Sequence, residues 1–239
     1  MTEVREQASA TGGRTLEIFA NTPQLNEWIF SKLAGPVRGE VLEIGSGVGN
    51  ISRLIRPRVD RLVVSDTEPH YLEDLERTFA GDPGVSVVSY DLDHAPPPGI
   101  AARRFDAIVA VNVIEHIADD RGLVARLAGL LRPGGNLLIY VPSCPSVFGT
   151  LDVALGHHRR YTPATLTSLL RSAELDPGEP RYVNLLGLAG WFVAGRILRR
   201  KLLSPLGVAV FERIVPVVRL EDKLKLPVGM GLVTHATKV

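Results

Sequence analysis

One cysteine, Cys144, is all that the 239 residues contain. No disulfide can form within the chain, and the composition fits a reducing compartment. Charge of either sign is also without excess, since 27 lysines and arginines stand against 26 acids, for a formal net charge of +1. No overall attraction to nucleic acid is therefore expected. Nor is there an apolar run fit for a bilayer. The uncharged apolar stretch Tyr182–Gly195 falls short of the roughly 20 apolar residues of a crossing helix. The opening residues, MTEVREQASATGGR, lack the apolar stretch of a secretory leader. A cytoplasmic protein is the expectation. Internal repeats and low-complexity tracts are lacking too.

What is present is material for a packed α/β core, with 45% of residues hydrophobic and 22% charged. Short β-rich runs alternate with helix-length segments. The runs are Glu40–Ile44, Arg61–Ser65, Val85–Tyr90, Phe105–Val111 and Asn136–Val141. The intervening pattern predicts helices from Val48 to about Arg56, from Pro69 to Ala80 and from about Val113 to Leu131. Thr22-Pro23 and Thr162-Pro163 read as capped helix starts, and Pro133-Gly134-Gly135 as a turn. Such alternation implies βαβ units in an α/β fold, a doubly wound (Rossmann-like), mainly parallel sheet with helices on both faces. Ligands of such sheets bind beyond the carboxyl ends of the strands, where strand order reverses.

The residues after each strand are therefore the candidates. The first strand runs into VLEIGSGVGN, Val41–Asn50, whose Gly45, Gly47 and Gly49 are spaced G-x-G-x-G, with Asn50 where a dinucleotide fingerprint has glycine. Glu43 stands two residues before the first glycine. Asp66 follows the second strand, Asp91 the third and Asn112 the fourth. A dinucleotide places its pyrophosphate on the glycine turn and helix N-terminus, and Glu43 would oppose that charge. An acidic rim suits a ligand with positive charge and no phosphate, such as the sulfonium and ammonium of S-adenosylmethionine. Glycines let the backbone approach it closely.

VLEIGSGVGN, the Asp66 strand end, Asp91, FDAIVAVNVIEH and LLRPGGNLLIYVP together resemble class I S-adenosylmethionine-dependent methyltransferases of the small-molecule type, over roughly Val41 to Leu175. The resemblance implies a seven-stranded sheet with a C-terminal antiparallel hairpin, which Arg181–Leu186 and Gly231–Lys238 could supply. It also implies that Asp66 holds the ribose hydroxyls and Asp91 the adenine amino group, with the Leu92 backbone on the ring. Glu43 and Gly45 would lie near the methionine ammonium, and Asn112 beside the methionine portion. Ser46, Gly47, Gly49, Asn50 and Thr67 complete the implied cofactor set.

Methyl transfer needs an acceptor aligned with the sulfonium carbon and, for oxygen or a protonated nitrogen, a group that takes a proton. Histidine suits that task near neutral pH. One candidate is His116, in Asn112-Val-Ile-Glu115-His116 after the fourth strand. That segment resembles one in the ubiquinone-pathway catechol O-methyltransferases, where two glutamates and a histidine at this spacing are linked to a metal. Asn112 replaces the first glutamate here, two ligands make a poor cage, and no metal is expected. The other candidates are His157 and His158, in GHHRRYT (156–162) after the fifth strand. There Arg159 or Arg160 could hold an acidic group of the substrate and Tyr161 could line its pocket, while an architectural use of this loop stays open.

Substrate choice is expected from additions around the core. The N-terminal segment Leu16–Leu33 carries Phe19, Trp28 and Phe30, and the insert 188–226 carries Trp191, Phe192 and Phe211 beside Arg196, Arg199, Arg200 and Lys201. Phe19 and Trp191 are the candidates for contact with substrate. The insert reads as a lid, a packed or dimer-forming cover, or a basic amphipathic element at a membrane surface, and the sequence leaves this open. It likewise leaves open monomer or homodimer. The expected organisation is one domain over 1–239, with a helical cover at 1–35, a cofactor core at 36–180, and C-terminal strands at 181–239 around the insert. The expected activity is methyl transfer to oxygen or nitrogen of a small, fairly apolar metabolite or natural-product intermediate. The rival readings are an NAD(P)-dependent oxidoreductase on a Rossmann sheet and a non-catalytic cofactor-binding partner protein.

Overall fold

Five aliphatic, β-branched runs become five parallel strands in a computed structural model that describes Ile18 and residues 22–239. They are β1 (Glu40–Ile44), β2 (Arg61–Asp66), β3 (Val85–Ser89), β4 (Phe105–Val111) and β5 (Leu131–Pro142). The final strand β8 (Gly231–Lys238) runs antiparallel to β5, and two short segments, β6 (Leu175–Pro177) and β7 (Arg181–Val183), share its other edge. The sheet order is β3-β2-β1-β4-β5-β8-β6, with β7 also on β8. Eight segments thus fill seven positions. Strand order reverses between β1 and β4, and this places the binding crevice at the ends of β1, β2 and β4.

Alternation along β1 sets the two layers. Leu42 and Ile44 face one apolar layer with Ile108, Leu123, Leu127 and Leu166. Val41 faces the other, with Val64, Ile55, Trp28 and Leu33. The helices that cover the sheet are α1 (Pro23–Leu33), α2 (Asn50–Ile55), α3 (Pro69–Thr78), the single turn α4 (Pro98–Ala101), α5 (Asp120–Leu130), α6 (Thr150–Leu155) and α7 (Pro163–Arg171). The insert adds α8 (Leu185–Phe192), which continues as a π-turn over Val193–Ile197, and α9 (Pro205–Val218) with a 3-10 turn over Arg219–Lys223.

Several boundaries differ from those the sequence suggests. The span Val113–Leu131 is not one helix but a 3-10 turn, Ile114–His116, followed by α5, which Asp119 caps by accepting from Gly122 N–H. The expected Pro133–Gly135 turn is absorbed into β5, where Gly134 has φ 76° and the register to β4 shifts between Phe105 and Ala107. A local bulge lengthens the strand instead of ending it. The hairpin partner of β8 is split in two. Thr162 caps α7 as expected, but Thr22 makes no side-chain cap bond for α1. Glu212 of α9 does so instead, accepting from Gln24 N–H (2.7 Å) and Leu25 N–H (3.2 Å).

Candidate functional site

The turn that leaves β1 requires left-handed backbone at Gly45, Gly47 and Gly49, with φ of 62°, 51° and 80°. A β-carbon on Gly45 would also meet Val113 Cγ2 at 2.6 Å, so any side chain there is excluded on two counts. Three amides of this turn have protein partners. Ser46 N–H donates to Ser65 O and Gly49 N–H to Ser46 O, each at 2.9 Å. Gly47 N–H donates to Asp66 Oδ2 at 2.9 Å. The other oxygen, Asp66 Oδ1, accepts from Thr67 N–H (2.8 Å) and Glu68 N–H (3.1 Å). A carboxylate therefore sits on an amide that a bound pyrophosphate would use.

Glu43 is placed differently from expectation. It is buried, and its Oε2 accepts from the hydroxyls of Ser46 (3.0 Å) and Ser52. Burial pushes its carboxyl up to about 7, the two serines pull it down, and the Asp66 charge adds to the rise. Near neutral pH it is a sequestered, partly protonated acid, not an open charge on the rim. Asp91 does lie open, with Oδ2 2.9 Å from His94 Nδ1 and Oδ1 accepting from Asp93 N–H. Leu92 beside it is buried, and its carbonyl accepts from Arg126. Asn50 opens α2, and Thr67 is exposed at the end of β2.

Asn112 leaves β4 with φ 54° and donates its N–H to Tyr140 O at 2.9 Å, a conformation that asparagine tolerates better than most residues. The next residues join two parts of the site. Val113 packs on Gly45, while Glu115 and His116 meet the loop after β5. One ligand atom from each of Glu115, His116 and His157 falls within 4.8 Å of the others. The His116 and His157 rings meet edge to face at 4.7 Å. Glu115 is fully buried, and neither carboxylate oxygen has a hydrogen-bond partner among the described residues. Burial pushes Glu115 up to about 7, offset in part by His157 and Arg160. Burial, then the neighbouring His157 and His158, push His116 down to about 3, so its imidazole is neutral.

Asp152, which sequence reasoning missed, organises this centre. It is completely buried and gathers four donors: Gly149 N–H (2.9 Å), Arg160 Nε (2.7 Å), Trp191 Nε1 (3.2 Å) and His157 Nδ1 (3.0 Å). Burial alone would raise its pKa, but His157 and Arg160 outweigh that and hold it at about 2. With an ionised carboxylate on Nδ1, His157 carries its proton there, and Nε2, on a side chain only 7% exposed, is its acceptor nitrogen. A signal for Asp152 did exist in the sequence, as the lone acid in the apolar helix TLDVAL, five residues before His157.

The other residues expected at a substrate are committed to protein partners. Arg159 pairs with Asp120 (2.7 Å) and donates to the carbonyls of Ile117 and Ala118. Tyr161 is buried and donates to Asp120 Oδ2 at 2.9 Å. Arg160 is buried against Asp152, donates to Ser143 O at 2.9 Å, and lies 5.1 Å over the Trp191 ring. Arg160 and Tyr161 brace the loop from within, although Arg160 Nη2 has no hydrogen-bond partner among the described residues, and the part-exposed Arg159 ties the loop to the turn before α5. His158 is exposed, with its N–H on Glu115 O at 2.8 Å. Trp191 is buried. Phe19 lies outside the described residues. Trp28 and Phe30 are core residues of α1, and Trp28 Nε1 donates to Asp222 at 3.0 Å.

Comparison with known proteins gives the family. The family model described as a methyltransferase domain matches residues 19–177. The chain is 29% identical over 172 residues to a probable S-adenosylmethionine-dependent methyltransferase of Mycolicibacterium smegmatis, covering 70% of this chain and 65% of that protein. It is 26% identical over 175 residues to a ubiquinone biosynthesis O-methyltransferase of Xanthomonas axonopodis, covering 66% and 71%. The chain spans less than two thirds of the length of the first curated relatives it matches. Among solved structures, the N-methyltransferase NodS of Bradyrhizobium japonicum, in complex with S-adenosyl-L-homocysteine, superposes with a TM-score of 0.59 at 17% identity, covering 92% of this chain and 90% of that one. The matched family model spans most of this chain, so the chain belongs to the class I methyltransferases, whose cofactor is S-adenosylmethionine.

Proposed function

We propose that this chain transfers a methyl group from S-adenosylmethionine to an oxygen or nitrogen of a small, mainly apolar acceptor, with His157 as the proton acceptor. The observation that carries the cofactor side is the Asp66 carboxylate on Gly47 N–H at 2.9 Å, which makes the glycine turn hostile to phosphate and suited to a cation. Asp66 and Asp91 remain the candidates for the ribose and adenine, and Glu43 and Asn112 for the methionine portion. Bound S-adenosylmethionine supplies an electrophilic methyl group on a positively charged sulfur. The acceptor's lone pair would form the new bond to that carbon as the carbon–sulfur bond breaks, with its electron pair left on sulfur. The acceptor's proton passes to His157 Nε2, and Asp152 steadies the resulting imidazolium through Nδ1. The nicotinamide oxidoreductase reading has no support from the relatives.

A second reading rests on Glu115, whose buried oxygens lack partners and lie beside two imidazoles. One carboxylate and two histidines suit a divalent metal ion. Calorimetry and turnover test these readings together. S-adenosylhomocysteine should bind and NADH should not, and Asp66→Ala should weaken binding by about 1–3 kcal/mol. His157→Ala should keep cofactor affinity and lose turnover across a panel of phenols and amines by roughly 100-fold or more. NADH binding in place of S-adenosylhomocysteine would overturn the assignment. Turnover that survives chelation supports the proton reading, and turnover restored only by a divalent ion supports the metal.

A further inference from the structure

The exposed apolar residues of this protein are concentrated in one place. Of the fifteen large hydrophobic side chains that stand exposed among the described residues, all but Val153 and Val239 lie in residues 185–228. Helix α9 shows the pattern most plainly. Its inner face buries Glu212 and Val215, and its outer face presents Leu206, Val210, Ile214 and Val217, at spacings of four, four and three. A surface helix with an apolar outer face is uncovered, because water-facing positions of such helices are normally polar. A groove of about 660 Å³ opens beside it, lined by Leu185, Leu188, Phe192, Val217, Leu220 and Leu224.

The charge of this face is as uneven as its polarity. Residues 185–228 hold eight lysines and arginines against three acids, whereas the rest of the chain holds nineteen against twenty-three. All three acids are engaged with the body of the protein. Glu212 accepts from the first amides of α1. Glu221 accepts from the N–H groups of Asn184 and Leu185. Asp222 pairs with Lys32 and accepts from Trp28. By contrast Arg199, Arg200, Lys201, Arg213, Arg219 and Lys223 are exposed, and no ion pair to any of them occurs among the described residues.

We infer that the face formed by α8, the π-turn after it and α9 is a peripheral docking surface for an anionic lipid bilayer. Apolar side chains interleaved with unpaired cations match acyl chains beneath acidic headgroups. A second copy of this chain is the poorer occupant, because two such cationic faces would repel. The face would lie on the bilayer, since among the described residues no helix is long and apolar enough to cross it.

Flotation of the full chain with vesicles tests this. The protein should float with phosphatidylcholine–phosphatidylglycerol vesicles at low salt, stay behind with phosphatidylcholine alone, and be released by salt. Neutralising three cations, Arg199→Gln with Arg200→Gln and Lys201→Gln, should weaken partition roughly 100-fold, at about 1 kcal/mol per charge. Leu206→Asp with Val217→Asp should abolish it, with circular dichroism and S-adenosylhomocysteine affinity unchanged. Failure to float with the acidic vesicles overturns the inference, and so does flotation that neither variant weakens. It is equally overturned if light scattering shows a dimer that Leu206→Asp with Val217→Asp converts to monomer, because the face would then belong to a second copy. Circular dichroism separates all of these from a misfolded variant, and none depends on methyl transfer.

Discussion

At the scale of single residues, Glu43 is where sequence and structure diverge most usefully. The sequence places a carboxylate one residue from the end of β1 and suggests an open acidic rim. The fold buries that carboxylate on Ser46 and Ser52 and raises it to about 7. The folded protein thus holds a proton here that the unfolded chain releases near 4.5. This contribution to stability is complete below about 4.5 and is lost as pH rises through 7. Glu43→Gln keeps the serine acceptor without the charge. Its stability in urea, relative to the parent, should be steady in acid and improve by about 3 kcal/mol between pH 4.5 and 8. A difference that does not vary with pH would show that Glu43 titrates normally. Nothing local foretells this, because the acid's depth depends on α2 folding back to bring Ser52, nine residues on, over the strand. The glycine turn, by contrast, is legible residue by residue, since left-handed backbone at Gly45, Gly47 and Gly49 is what their lack of side chains permits.

At the scale of elements, the central strands were plain because runs such as FDAIVAV bury both faces and leave little else to do with their side chains. Elements fixed by distant contacts were not. Thr22-Pro23 is a good local helix start, yet the amides of α1 are met by Glu212, from 188 residues away. Likewise Asp152 acquires meaning only when α6 brings it under His157, Arg160 and Trp191. The dense charges of the basic loop 156–162 suit a substrate or an architectural use alike, and in the fold both arginines are held by ion pairs, Arg159 to Asp120 and Arg160 to Asp152. Glu212→Ala should therefore loosen α1 from α9 and lower stability by about 1–2 kcal/mol in urea denaturation, the usual cost of losing a helix cap. A loss below about 0.5 kcal/mol would mean that water replaces the carboxylate without penalty.

At the scale of the molecule, the sheet is continuous only through β8. This strand pairs with β5 along its whole length on one side and with β6 and β7 on the other, though it follows all of them in the chain. Removing residues 231–239 would open two strand edges, both flanked by apolar residues. The shortened protein should lose its cooperative thermal transition and collect in the insoluble fraction on expression, and a well-behaved monomer with the parent's melting profile would contradict this. The same arrangement has a consequence for biosynthesis. While the polypeptide is being made, β1 to β5 can pair in the order they emerge, but the edge of β5 has no partner until residues 231–238, which follow every other strand, have been added. Until then the loop after β5, with its histidines, hangs from a strand whose outer edge is unpaired. A nascent chain that stops short of β8 would carry β1 to β4 already paired beside a β5 whose far edge is still open.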